Sequence, residues 1–171
     1  KEAIPILIKV LQDATQEAMV RHEAAEALGA IGSPDAIDIL QKYLTDPVVE
    51  VSETCELALE RLKWLQDANR SEQLSENPYL STDPAPPTPS TDVLKLKETL
   101  LNENASLFER YRAMFALRNL QSEEAILALS VALKCGSALF RHEIAFVLGQ
   151  LQNKVSVSYL KESLEDCSEN E

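Results

Sequence analysis

Only two histidines occur among the 171 residues, His22 and His142, 120 positions apart. Each is preceded by arginine and followed by glutamate, in the runs RHEAAEALGAIG and RHEIAFVLGQLQ. A neutral imidazole nitrogen next to a carboxylate oxygen is a donor set that suits Fe, Mn or Zn. Adjacent residues on a helix diverge by about 100°, so His22 and Glu23 do not share a face as an i, i+4 pair does. One side chain can serve one metal while the next reaches a neighbouring metal or bridges. That spacing favours a two-metal site assembled between facing elements over an HExxH-type zinc site, whose pattern is absent. The candidate ligands are therefore His22, Glu23, His142 and Glu143. Dinuclear carboxylate centres collect about six side chains, so further ligands have to come from elsewhere. Two blander readings stand beside this one. The histidine is a relic of one duplicated repeat, or Glu23 and Glu143 act as general bases; ligation is preferred because each glutamate adjoins another candidate ligand.

The elements that carry these residues repeat. RYRAMFALRNLQ, from Arg110, aligns with RHEIAFVLGQLQ, from Arg141, at an offset of 31, placing Phe115, Leu117 and Leu120 on Phe146, Leu148 and Leu151. RHEAAEALGAIG aligns with VSETCELALERL, from Val51, at an offset of 30. Periods of this length with two helical stretches each are the pattern of helical-hairpin solenoids. In that register His22 corresponds to Ser52 and His142 to Tyr111. The apolar frame is thus kept without the His-Glu pair, which the repeat does not need. Ile4, Leu7, Ile8 and Leu11 open the first helix at helical spacing, with Pro5 in a first turn that tolerates it.

Residues 67–92 break the pattern, holding five of the eight prolines and almost no apolar periodicity, which reads as a linker or long surface loop. The expected fold is all-α, with HEAT-like helical-hairpin repeats in two halves, 1–66 and 93–171, joined by this Pro-rich connector. Both ends look cut: the chain starts at Lys1 within an amphipathic run and stops before a last hairpin is complete.

Composition narrows the partners. A net charge of −12 argues against nucleic acid, whose binders neutralise phosphates with Lys and Arg, and suits either solubility or a basic partner. The apolar stretch AILALSVAL is far short of the roughly 18 residues that a membrane helix needs. Three scattered cysteines without CxxC spacing suggest reduced thiols and an intracellular, cytoplasmic home. Cys55 and Cys135 read as small apolar fillers. Arg110, Arg112 and Arg118 are expected to pair with carboxylates. Gly29 and Gly149, each seven residues after a histidine, are expected to permit close helix packing.

The runs MVRHEAAEALGAIG, DPVVEVSETCELALERLKWLQ, NPYLSTDPAPP, LFERYRAMFALRN and CGSALFRHEIAFVLGQLQ closely resemble those of the deoxyhypusine hydroxylase family, and the match runs through essentially the whole chain. The connector and the CGSALFRHE run are more specific than the repeat frame. The resemblance implies two facing halves with four His-Glu pairs that hold two Fe(II) ions per complete enzyme. It implies a monooxygenase that uses O2 to hydroxylate a deoxyhypusine side chain, on the basic loop of a translation factor, to hypusine. His22 and Glu23 match the family's second pair, and His142 and Glu143 its third. The first pair would precede Lys1 and the fourth follow Glu171, so this chain holds half of the ligands. The competing readings are a metal-free HEAT-like adaptor for a basic protein and a bilin-lyase-like repeat protein, against which the connector weighs.

Overall fold

A computed structural model describes residues 2–67 and 71–169. Lys1, residues 68–70 of the connector and the last two residues of the terminal DCSENE run lie outside the described residues. Among the described residues the regular structure is entirely helical. In order it comprises α1 (Ile4–Gln12), α2 (Ala18–Ile31), α3 (Ile37–Lys42), α4 (Val49–Gln66), α5 (Val93–Leu101), α6 (Leu107–Leu120), α7 (Glu123–Val131), α8 (Ala138–Leu151) and α9 (Val157–Leu164). The long second helices start 31 positions apart in both halves, Ala18 to Val49 and Leu107 to Ala138, as the sequence offsets of 30 and 31 anticipate. None of the described helices is long and apolar enough to cross a membrane.

The helices begin and end where the local chemistry asks. The Ser106 and Ser137 hydroxyls accept from the N–H groups of Glu109 and Phe140, satisfying first-turn donors of α6 and α8. Asp92 does the same for Leu94 and Lys95 at α5. Pro5 occupies the first turn of α1. Gly32, at φ 72°, takes the left-handed conformation that ends α2, and its N–H reaches the Leu28 carbonyl.

The chain divides into two compact units. The first contains the described residues up to Ser71, together with Thr82–Ala85. Its core is formed by Ile4 and Leu11 of α1, Ala25 and Leu28 of α2, Leu40 of α3, and Val51, Cys55 and Leu62 of α4. Gly29 lets α2 and α4 approach closely: a Cβ there would lie 2.8 Å from Ala58 Cβ and 3.0 Å from Ala58 Cα. Gly149 has no such role in this structure, since nothing stands within 4 Å of the position its Cβ would take.

The second unit contains Glu72–Ser81 and the described residues from Pro86 onward. Tyr111 is its aromatic centre, meeting Phe115 and Phe140 edge-on at centroid distances of 6.2 and 5.8 Å. Here the proline-rich segment is no bare spacer. It lies on polar side chains of α6: Arg112 Nη2 contacts Glu72 Oε2 at 2.5 Å, Arg112 Nε donates to the Pro86 carbonyl, and Asn119 Nδ2 donates to Ser75 Oγ. The Thr88 N–H donates to the Arg112 carbonyl, and Gln121 Nε2 donates to the Tyr79 hydroxyl. Ala85, Pro86 and Pro87 are buried. Of the three arginines expected to pair with carboxylates, Arg112 does so, with Glu72 and Glu109. Arg110 instead donates to the Leu100 carbonyl and stacks on Phe140; the contacts of Arg118 include Asn119, Gln150 and the faces of Tyr79 and Phe115. A guanidinium among aromatic faces and carbonyls is stabilised by its stacking as well as by charge.

Candidate metal centre

In the first unit the site is built on α2 and framed by α4. Arg21 anchors the first turn of α2. Its Nε donates to the Leu11 carbonyl at the end of α1, and its guanidinium closes on Asp46 with both terminal nitrogens. The arginine of this RHE run is therefore scaffold, holding the next residue in place. Burial opposes the charge on Asp46, but the Arg21 guanidinium and the Val48 N–H outweigh it and hold the carboxyl below the usual range.

His22 follows, only 5% exposed. Its Nδ1 lies 2.6 Å from Thr54 Oγ1 on α4. Its Nε2 faces two carboxylates of its own helix, Glu26 Oε2 at 3.7 Å and Glu23 Oε1 at 4.0 Å. Burial, then the neighbouring Glu23 and Asp83 charges, push the Glu26 carboxyl above its ordinary value. The ionised form of Glu26 is thus disfavoured, first by burial and then by like charge. Cys55, one residue beyond Thr54, takes no part as a nucleophile: burial pushes its thiol up to about 12.

In the second unit the RHE run sits differently. Arg141 bonds Glu169 and the Gly136 carbonyl. His142 is exposed and Glu143 is half-buried, the reverse of His22 and of Glu23, whose side chain is 72% exposed. The difference follows from neighbours. α4, the next second helix, covers the His22 face of α2, whereas α8 is the last second helix among the described residues.

The sequence pattern therefore leads to His22 and Glu23 together in one unit and to His142 and Glu143 together in the other. It misses Glu26, Thr54 and Asp83. Glu26 was within reach, because the i, i+4 spacing from His22 puts it on the same face. Thr54 and Asp83 come from another helix and from the connector, with no local signal. A metal bonded at about 2.1 Å to each of two donors spans donor separations up to about 4.2 Å, so Nε2 and either facing carboxylate oxygen are within range of one ion. Among the described residues, however, no three His, Cys, Asp or Glu side chains converge as a complete site. The first-unit residues fit a metal as part of a ligand set.

Comparison with known proteins bears on the fold and the family. Residues 1–60 match the family described as HEAT repeats, and residues 109–135 and 140–166 match the PBS lyase HEAT-like repeat. The chain is 59% identical over 168 residues to the deoxyhypusine hydroxylase of Homo sapiens, covering 98% of this chain and 55% of that protein. It is 58% identical over 171 residues to the enzyme of that name from Drosophila melanogaster, covering 99% of this chain and 56% of that one. A solved structure of human deoxyhypusine hydroxylase in complex with glycerol superposes with a TM-score of 0.93 at 58% identity, covering 99% of this chain and 58% of that chain. The chain spans about half the length of the curated relatives that it matches. It is an all-α protein of HEAT-like repeats, related over nearly its whole length to the deoxyhypusine hydroxylases.

Proposed function

We propose that this chain supplies part of the metal centre and substrate surface of a deoxyhypusine monooxygenase, which hydroxylates a deoxyhypusine side chain on a translation factor to hypusine. The observation that carries the reading is the identity of 59% over 98% of the chain with both RHE runs included. His22 and Glu23 from one unit, and His142 and Glu143 from the other, are the proposed ligands, half of the set for two Fe(II) ions. Iron, when bound, supplies the redox and O2 chemistry that hydroxylation of a C–H bond requires and that zinc cannot.

The chain's own residues have separable tasks. Arg21, closed on Asp46 and the Leu11 carbonyl, fixes the first turn of α2, and with it the position of the His22 ring. Glu23 and Glu26 offer hard anionic oxygens beside the imidazole. The net charge of −12 attracts a cationic deoxyhypusine amine and the basic loop that bears it. The reading carries with it a cytoplasmic location and no nucleic-acid or membrane partner.

Oxygen transfer is the test. A deoxyhypusine-bearing factor incubated in air with the Fe(II)-loaded complete enzyme that contains this chain gains the mass of one oxygen atom, and His22→Ala or His142→Ala abolishes the gain. An unchanged mass, together with factor binding that survives chelation, would leave the chain as a metal-free adaptor. The acidic charge is the observation that favours that second reading.

A further inference from the structure

Thr54 lies on α4, is 3% exposed, and is not one of the residues that the RHE pattern points to. Its Oγ1 stands 2.6 Å from the Glu50 carbonyl oxygen, one turn back on the same helix, and 2.6 Å from Nδ1 of His22. A threonine hydroxyl has a single proton, and a carbonyl oxygen can only accept. At 2.6 Å two oxygens need a proton between them, so the Thr54 proton is committed to Glu50. The hydroxyl therefore meets Nδ1 with a lone pair, and Nδ1 must bring the hydrogen.

A neutral imidazole carries one N–H. If it sits on Nδ1, then Nε2 carries the lone pair, and Nε2 is the nitrogen that faces Glu26 at 3.7 Å and Glu23 at 4.0 Å. We infer that Thr54 is a positioning residue that fixes His22 in the Nδ1–H tautomer and aims the Nε2 lone pair at the space shared with these two carboxylates. The purpose of the arrangement rests on the metal-centre reading given above; the tautomer itself does not. The opposite tautomer would turn an N–H toward the carboxylates and leave nothing to donate to a metal. Ligating histidines are commonly set in this way by an acceptor on the far nitrogen, and here a hydroxyl backed by a main-chain carbonyl takes that place.

The test reads the ring directly. The metal-free chain, labelled with 15N-histidine, is examined by long-range proton–nitrogen correlation at pH 8, with His142→Gln assigning the signals and exposed His142 as internal reference. The expected result is an N–H-type Nδ1 and a lone-pair-type Nε2 for His22. Thr54→Val shifts His22 toward the tautomer mixture of the exposed ring, and Thr54→Ser restores the wild-type pattern. An Nε2–H or doubly protonated His22 in the wild-type chain overturns the inference, as does a Thr54→Val spectrum identical to wild type. A merely structural Thr54 would not move the ring's proton. Anaerobic Fe(II) titration supplies the second readout, with affinity expected to fall by about 10- to 100-fold in Thr54→Val and to return in Thr54→Ser. An Nδ1–H ring in a chain that never takes up iron upholds the role of Thr54 and removes the metal reading. Iron uptake by a chain whose His22 is Nε2–H does the reverse.

Discussion

Asp46 and Glu26 show how differently two carboxylates are placed around one helix turn. Asp46, whose side chain is 4% exposed, faces the Arg21 guanidinium and is held below its ordinary value of 3.8. A depressed pKa contributes stability in full above that value and loses it as the pH falls toward the lower folded one. Asp46→Asn is expected to cost about 3 kcal/mol at pH 7, because Arg21 is left buried without its partner charge. The cost shrinks at pH 3.5; denaturant unfolding followed by circular dichroism at both values checks it. Glu26 has the opposite sign. Its carboxyl is raised above 4.5, so its contribution is present below that value and is lost as the pH rises through the folded pKa. Glu26→Gln should therefore stabilise the metal-free chain at pH 7 and do nothing at pH 4. The gain should stay under about 1 kcal/mol because the side chain is 35% exposed and solvent screens it. A variant that is more stable without metal and weaker in holding it would be the mark of a carboxylate kept for a cation.

At the scale of the helix, the two glycines make a matched experiment. Gly29→Ala drives a Cβ to 2.8 Å from Ala58 Cβ and 3.0 Å from Ala58 Cα, atoms that cannot move without shifting α4. It should destabilise by about 1–3 kcal/mol, and because α4 carries Thr54 it should also disturb His22. Gly149→Ala enters open space, and in a helix interior alanine is favoured over glycine by up to about 1 kcal/mol. Thermal melts of the two variants should move in opposite directions. The sequence made the long helices and their spacing plain, because Phe115, Leu117 and Leu120 repeat on Phe146, Leu148 and Leu151 in one apolar frame. It gave Gly29 and Gly149 the same reading, and only Gly29 keeps it, since a neighbouring helix decides whether a missing Cβ matters. For the same reason the two histidines, alike in sequence, differ in burial. Thr54 was illegible because its role depends on α4 packing over α2, which local pattern does not specify.

At the scale of the whole molecule, the proline-rich segment is the part that composition describes least well. Few apolar residues and five of the eight prolines read as a linker or long surface loop, and Arg112 and Asn119 of α6 fasten it at Glu72, Ser75 and Pro86. Polar contacts at long sequence separation leave no periodic trace. Arg112→Leu should free this segment while the helices persist, seen as faster proteolysis between residues 72 and 90 with unchanged helicity. The segment also gives the first unit Asp83, whose charge reaches Glu26 and Arg61, so the connector adds to the acidity around His22. The central claim is that the His-Glu pairs are metal ligands. It is tested most directly by iron retained after anaerobic Fe(II) loading and desalting, in this chain and in the His22→Ala, His142→Ala double variant, with helicity measured in both. The account expects iron in the wild-type chain and its loss from a double variant that stays folded. Equal iron in the two proteins, or none in either, would contradict it.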